Sequence, residues 1–191
     1  MGADVLILIV GPSGAGKDTL LNAVRGELSG GHGDSGGVRF VRRVVTRMGD
    51  GGEEEHEAVT EEGFRVREAA GDFALSWRAH GLRYGVPADI ALDLARGRVV
   101  VVNVSRAVVA EAAARFPVTV VEVTAPGPVL AARLAARGRE DTEDVARRLS
   151  RAIELPVAVE RHPVVNDGTM AEGAVRLLAA IRAASGGALE A

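Results

Sequence analysis

The chain has 191 residues, 47% hydrophobic and 26% charged, proportions of a folded domain that exclude a wholly disordered or fibrous protein. The length suits one domain with small inserted subdomains, and a net charge of −3 argues against a nucleic-acid coat or a polybasic membrane protein while leaving room for a local basic pocket. The absence of cysteine excludes disulfides, thiolate metal sites and a cysteine nucleophile.

The opening Met1-Gly2-Ala3-Asp4 carries no positive region, so no secretory signal is predicted. No run reaches the roughly 18 apolar residues of a membrane span. The expected setting is cytoplasmic, with no nucleic acid and no membrane as partner. Val5 to Val10 is a continuous apolar run of the kind that marks a strand covered on both faces, as in parallel sheets. A glycine-rich turn follows, then a helix opened by Leu20, Leu21 and Val24. Ser29 to Gly37 reads as a flexible loop, and Val41 to Val45 as a strand.

Residues 46 to 87 are polar and mixed. They hold Gly49, Gly51, Gly52, three consecutive glutamates, and short strand-like pieces at Phe73–Trp77 and Arg83–Val86, which suggests an inserted substrate-binding lobe. Beyond it, helices at Ala88–Arg96 and Arg106–Arg115 flank a strand at Val99–Val104. A strand at Val118–Val123 precedes helices from Pro126 to about Arg137, from about Glu143 to Glu160, and from Met170 to Ala184. This alternation predicts an α/β fold with a central parallel sheet flanked by helices and joined by right-handed crossovers. One domain is expected: a core of residues 1–46 and 88–191, a lobe at about 47–87, and a helical lid at about 136–148.

Between the first strand and first helix lies Gly11-Pro12-Ser13-Gly14-Ala15-Gly16-Lys17-Asp18-Thr19. It fits the Gly-x-x-x-x-Gly-Lys part of the P-loop pattern in the context that pattern requires. Glycines let backbone N–H groups turn inward around a phosphate, and the helix N-terminus adds donors and partial positive charge. Lys17 then reaches the β- and γ-phosphates of a nucleotide. Of 23 basic residues, Lys17 is the one lysine; a compact, flexible point charge serves where a wide planar guanidinium does not. The residue after the lysine is Asp18 where the pattern has Ser or Thr. Its carboxylate is expected to serve Mg²⁺ directly or through water, with Thr19 donating to a phosphate oxygen; the alternative is a favourable first-turn acid.

Arginines supply the remaining anion contacts. Arg47 follows Thr46 at a predicted strand end. Arg137, Arg139, Arg147 and Arg148 cluster in a charged turn and the helix after it, and read as clamps on phosphate oxygens. No Ser-His-Asp arrangement or metal-binding His pair is evident. A phosphate acceptor needs no general base, because its oxygen is already largely ionised at neutral pH.

The P-loop, Thr46-Arg47, Tyr84-Gly85, the Arg137–Arg148 segment and Asn166-Asp167 together resemble the guanylate kinase-like P-loop kinases over nearly the whole chain. The chain is still more similar to the ribose 1,5-bisphosphate phosphokinase family of phosphonate breakdown. That likeness rests on Gly-Lys-Asp-Thr at 16–19, Leu75-Ser76-Trp77, Gly81 to Val86, Val100-Val101-Val102-Asn103, Ser105-Arg106-Ala107, Arg137-Gly138-Arg139-Glu140 and Asn166-Asp167-Gly168. Guanylate kinases differ where guanine is read: Asp50 stands at their second arginine, Leu75 at their base-reading glutamate, and Asn103-Val104-Ser105 at their Asp-x-Asp pair. The resemblance implies ATP and Mg²⁺, with Lys17, Arg137 and Arg148 as catalytic residues. Gly11, Ser13, Gly14, Ala15, Gly16, Lys17, Asp18, Thr19, Asn166 and Asp167 would bind nucleotide. Arg47, Ser76, Tyr84, Asn103, Ser105 and Arg106 would bind the acceptor, and Asp18 the metal. The implied reaction is phosphorylation of ribose 1,5-bisphosphate to 5-phosphoribosyl 1-diphosphate. Open alternatives are a nucleoside monophosphate kinase and a non-catalytic protein-binding module.

Overall fold

The structure is a computed structural model that describes residues 5–28, 37–47, 56–136 and 158–189. The first strand, β1 (Leu6–Val10), is buried at every position. It can be apolar throughout because both faces are covered: Ile7 and Ile9 join one core cluster, and Leu6, Leu8 and Val10 join the other. Parallel neighbours flank it, β7 (Val99–Asn103) on one side and β8 (Val118–Thr124) on the other. The sheet extends outward to β2 (Val38–Phe40) and β9 (Glu160–Val165), giving the order β2-β7-β1-β8-β9. All its pairings are parallel.

Helix α1 (Lys17–Leu28) buries Leu20, Leu21, Val24 and Leu28 on one face. The last helix, α6 (Met170–Ala184), packs beside it. Its start is fixed by a capping box in which the Thr169 side chain and backbone exchange hydrogen bonds with Glu172. The other layer holds α3 (Ile90–Ala95), a single 3₁₀ turn at Arg106–Val108 and α4 (Val109–Ala113). Helix α5 (Gly127–Ala136) follows β8, opening just after Pro126 as predicted.

A second sheet, in the order β4-β3-β6-β5, comprises β3 (Arg43–Val45), β4 (His56–Ala58), β5 (Phe73–Ala79) and β6 (Leu82–Pro87). Helix α2 (Glu61–Ala69) accompanies it, capped by the Thr60 hydroxyl. β5 and β6 form a hairpin whose turn places His80 and Gly81 at positive φ.

Several elements depart from the sequence reading. The strand predicted over 41–45 forms only at its end, as β3 in the small sheet, while β2 of the large sheet lies before it at residues 38–40 and was not predicted. The chain therefore crosses between sheets just before Arg43. Strand β4 and helix α2 lie within the stretch read only as polar. The helix predicted to reach Glu160 does not, since β9 begins there. Its Glu-Arg-His-Pro-Val-Val run carries charges and a proline because it is an edge strand, paired on one side only. The predicted lid beyond Ala136, with Arg137, Arg139, Arg147 and Arg148, and most of the 29–37 loop lie outside the described residues.

Candidate active site

The glycine-rich turn crosses the carboxyl edge of the large sheet between β1 and α1. Gly11 has φ 149° and Gly16 φ 85°. A Cβ on Gly11 would stand 1.9 Å from the Val123 carbonyl oxygen, and one on Gly16 would stand 2.6 Å from Asn166 Nδ2. Glycine is thus required twice over, by conformation and by space. Asn166, only 5% exposed, explains the second contact. Its backbone N–H donates to Thr124 O at 2.7 Å and its Nδ2 donates to Ala15 O at 2.8 Å. The carboxamide is a strut between β9 and the loop. Lys17 Nζ folds over the same loop, donating to Gly11 O at 2.9 Å and Pro12 O at 3.0 Å. The ammonium group therefore lies against the nest.

A cavity of about 330 Å³ opens beside the loop, bounded by Gly14, Gly16, Thr19, Leu20, Arg133 and Met170, with Asn166 at its edge. Arg133, from α5, was not foreseen as a site residue. Its Nη1 is buried and has no hydrogen-bond partner, and it lies 3.9 Å from where a Gly16 Cβ would be. A buried donor without an acceptor costs about 1–3 kcal/mol, so an oxygen of a ligand in this cavity is its natural partner. The available signal was its place one helical turn before Arg137. Asp167 turns its carboxylate away: it accepts from Arg176 at 2.6 Å, and that bond holds its pKa below the usual carboxylate range.

On the other side of α1 the first-turn carboxylate meets the end of β7. Asn103 Nδ2 donates to Asp18 Oδ1 at 2.6 Å, and Arg43 Nη2 stands 3.7 Å from the same oxygen. Arg43 is 8% exposed and its guanidinium lies 5.6 Å from the Tyr84 ring centroid. Sequence reasoning missed it, because one more arginine in an arginine-rich chain carries no local mark. Tyr84 stacks on Trp77 at 5.3 Å, with the rings 7° from parallel. Directly opposed residues share a sheet face, and Tyr84 opposes both Val45 and Trp77. Arg43, two residues from Val45, joins that face. Asp18, Asn103, Arg43, Tyr84 and Trp77 thus form one continuous run of contacts from the start of α1 to the small sheet.

The other predicted acceptor residues are placed differently. Ser76 opposes Gly85, so it lies on the α2 side of the small sheet, where its hydroxyl donates to Glu68 Oε1 at 2.7 Å. Its neighbour Leu75 is core. Ser105 caps the 3₁₀ turn by accepting from Ala107 N. Arg106 pairs with Glu122 at 3.0 Å; since β1 lies between their strands, this pair spans the edge below the loop. Arg47 is half-buried just beyond β3. Arg137 and Arg148 lie outside the described residues.

A strand, a nest closed by lysine and a helix on a parallel sheet define a P-loop phosphate-binding fold. Residues 7–154 match the family model described as "AAA domain". The fold is similar to that of the guanylate kinase from Anaplasma phagocytophilum, with a TM-score of 0.71 at 18% identity, covering 96% of this chain and 87% of that one. The chain is 51% identical over 169 residues to the ribose 1,5-bisphosphate phosphokinase PhnN of Acidiphilium cryptum, covering 88% of this chain and 87% of that protein. It is 48% identical over 176 residues to the bifunctional ribose 1,5-bisphosphokinase-thymidine phosphorylase of Cupriavidus necator, where 91% of this chain spans only 28% of the larger protein. The chain belongs to the ribose 1,5-bisphosphate phosphokinase PhnN family, and is a kinase.

Proposed function

We propose that this chain transfers the γ-phosphoryl group of ATP to the 1-phosphate of α-D-ribose 1,5-bisphosphate, giving 5-phosphoribosyl 1-diphosphate and ADP. The observation that carries the reading is the likeness to the Acidiphilium protein over 88% of this chain, joined to a lysine poised on its own phosphate nest. In the transfer, Lys17 leaves the Gly11 and Pro12 carbonyls for the β- and γ-phosphates, exchanging neutral acceptors for charged ones. Backbone N–H groups of residues 13–19 take the remaining phosphate oxygens, and Arg133 completes its missing bond on the nucleotide. The 330 Å³ cavity takes the nucleoside.

Magnesium fits this donor set sparingly. Among the described residues no three acidic or histidine side chains gather. Mg²⁺, however, uses one or two carboxylates together with substrate phosphates. Asp18 would hold it, oriented by the amide of Asn103, and the ion would supply charge neutralisation between the two substrates. Arg47 and Tyr84 position the acceptor phosphate, Ser105 and Arg106 stand at the strand end that faces it, and Arg137 and Arg148 close over the donor as a lid. The acceptor oxygen is already ionised, so the chain has only to align two polyanions and exclude water. The ATP supply sets this activity in the cytoplasm.

The test is a product-resolved assay with ATP, Mg²⁺ and either ribose 1,5-bisphosphate or guanosine monophosphate. Formation of 5-phosphoribosyl 1-diphosphate supports the reading. Phosphorylation of the nucleotide alone, or of neither acceptor, defeats it.

A further inference from the structure

Glu122 has no part in the transfer described above, yet it stands where a carboxylate is least expected. It lies on β8 between Val121 and Val123, both fully buried. Its strand partner is Val10, the last residue before the glycine-rich turn. A negative charge at the base of a loop that gathers phosphates opposes the purpose of that loop, because like charges repel.

The contact that accounts for it is Arg106. Arg106 Nη2 lies 3.0 Å from Glu122 Oε1, with the two side chains 20% and 31% exposed. The pair crosses the end of β1, which separates β7 from β8, a gap of roughly 10 Å between the flanking backbones. Only two long side chains close it. The backbone at Arg106 is fixed independently: the Ser105 hydroxyl caps the 3₁₀ turn, and Val108 and Val109 anchor that turn in the core. Glu122 therefore settles only where the guanidinium points. Its hold is one-sided. Arg106 Nε is buried and has no hydrogen-bond partner, although a guanidinium can offer two N–H groups in parallel to one carboxylate. A pair made for stability alone would use both. The unused Nε–H is left for another acceptor, and a buried donor without one is costly.

The faces of the large sheet indicate which substrate supplies that acceptor. Val121 and Val123 join the core cluster of Leu20 and Leu130, on the side of the 330 Å³ cavity. Glu122 alternates with them and shares the opposite face with Val10 and Val120. That face carries the 3₁₀ turn, against which β5, the strand of Trp77, packs. Arg106 and Glu122 thus stand on the side of the small sheet, away from the nucleotide cavity.

We infer that Glu122 is a positioning residue for the acceptor: it holds the Arg106 guanidinium across the end of β1 so that Nε donates to an anionic oxygen of the acceptor phosphate. This rests on the ribose 1,5-bisphosphate reading above, and adds to it a residue that touches no substrate and acts through another. The one-point hold keeps the guanidinium at the sheet edge while letting it turn to present Nε as the acceptor arrives.

The test is a double-mutant cycle, with kcat and KM measured for ribose 1,5-bisphosphate and for ATP in the wild type, Glu122→Ala, Arg106→Ala and the double variant. Glu122→Ala is expected to lower kcat/KM for the acceptor about tenfold, and Arg106→Ala about a hundredfold. The KM for ATP should stay within about twofold in both. The double variant should be no worse than Arg106→Ala, because Glu122 then has nothing to orient. Glu122→Gln keeps the reach and an acceptor oxygen, and should lose only about threefold. Glu122→Asp keeps the charge but is one methylene short, and should lose more. Nucleotide titration and thermal melting verify folding; should the alanine variants fail to fold, the comparison of Gln with Asp still decides the matter. Additive losses in the double variant, equal losses for ATP and acceptor, or an Asp variant better than the Gln variant would overturn the inference. A wild type that makes no 5-phosphoribosyl 1-diphosphate would defeat the underlying reading instead, and is recognised before any variant is made.

Discussion

The two sheets solve different problems with different chemistry. The large parallel sheet carries the loop on strands buried on both faces, and ties it down with glycine contacts and the Asn166 strut. The small sheet exposes Glu57 and Ala58 on β4 and Arg78 on β5. It is held by the Phe64–Phe73 and Trp77–Tyr84 stacks and by a surface net in which Arg83 bridges Glu61 at 2.7 Å and Glu68 at 2.8 Å. Apolar burial is strong and insensitive to salt, whereas exposed ion pairs are weak and screened. The nucleotide side is thus built rigid and the acceptor side built to yield, a division suited to a kinase that must close around a second substrate.

The harshest challenge to this contrast is Lys17→Ala. It should cut turnover by roughly a thousandfold or more while far-UV circular dichroism and melting stay near wild type, since Lys17 packs no core. Substantial remaining activity would remove the lysine from the transfer step. Asn166→Ala should act on the rigid side in another way. Losing a buried strut to the loop should cost about 2–3 kcal/mol of stability and weaken ATP binding, measured by denaturation and nucleotide titration. If ATP affinity were unchanged, the strut would not shape the nest.

On the yielding side, Trp77→Ala removes a partly buried ring and its stack. A loss of about 2 kcal/mol is expected, with the KM for the acceptor raised and that for ATP little affected; the reverse pattern would blur the division between the sheets. Arg83→Ala should cost about 1 kcal/mol, with the difference from wild type shrinking as salt is added. The smallest effect concerns the α6 cap. Hydrogen bonds from the Thr169 backbone and hydroxyl lower the Glu172 pKa. A lowered acid stabilises the fold above the ordinary carboxylate pKa, and that contribution fades as pH falls through its own lower value. Melting temperature should therefore drop slightly more on acidification in the wild type than in Glu172→Gln; parallel curves would show that the cap contributes nothing through its charge.

The core of this molecule was legible because its signals are local. Val5–Val10, Val99–Val104 and Val118–Val123 announce buried parallel strands by being apolar at every position, and Gly11–Lys17 needs only its own spacing and its neighbours to be recognised. β2, β4, β9 and α2 were not legible. Their composition is ordinary for loops, and they are ordered by what they pair with or pack on. Ser76 illustrates the finer limit: the motif containing it was recognisable, yet strand alternation put its hydroxyl on the α2 face, opposite to Tyr84.

From the amino-acid order alone, a phosphate nest with one lysine on a parallel sheet was determined, since glycine freedom, apolar runs and the spacing between them act over a few residues. Tertiary structure alone decided that Asn103 reaches Asp18 across 85 positions, that Asn166 holds Ala15 across 151, and that Arg43, rather than any other described arginine, is buried, beside Asp18. Such contacts depend on how strands order themselves when the whole core packs, and no short stretch of chain carries that information.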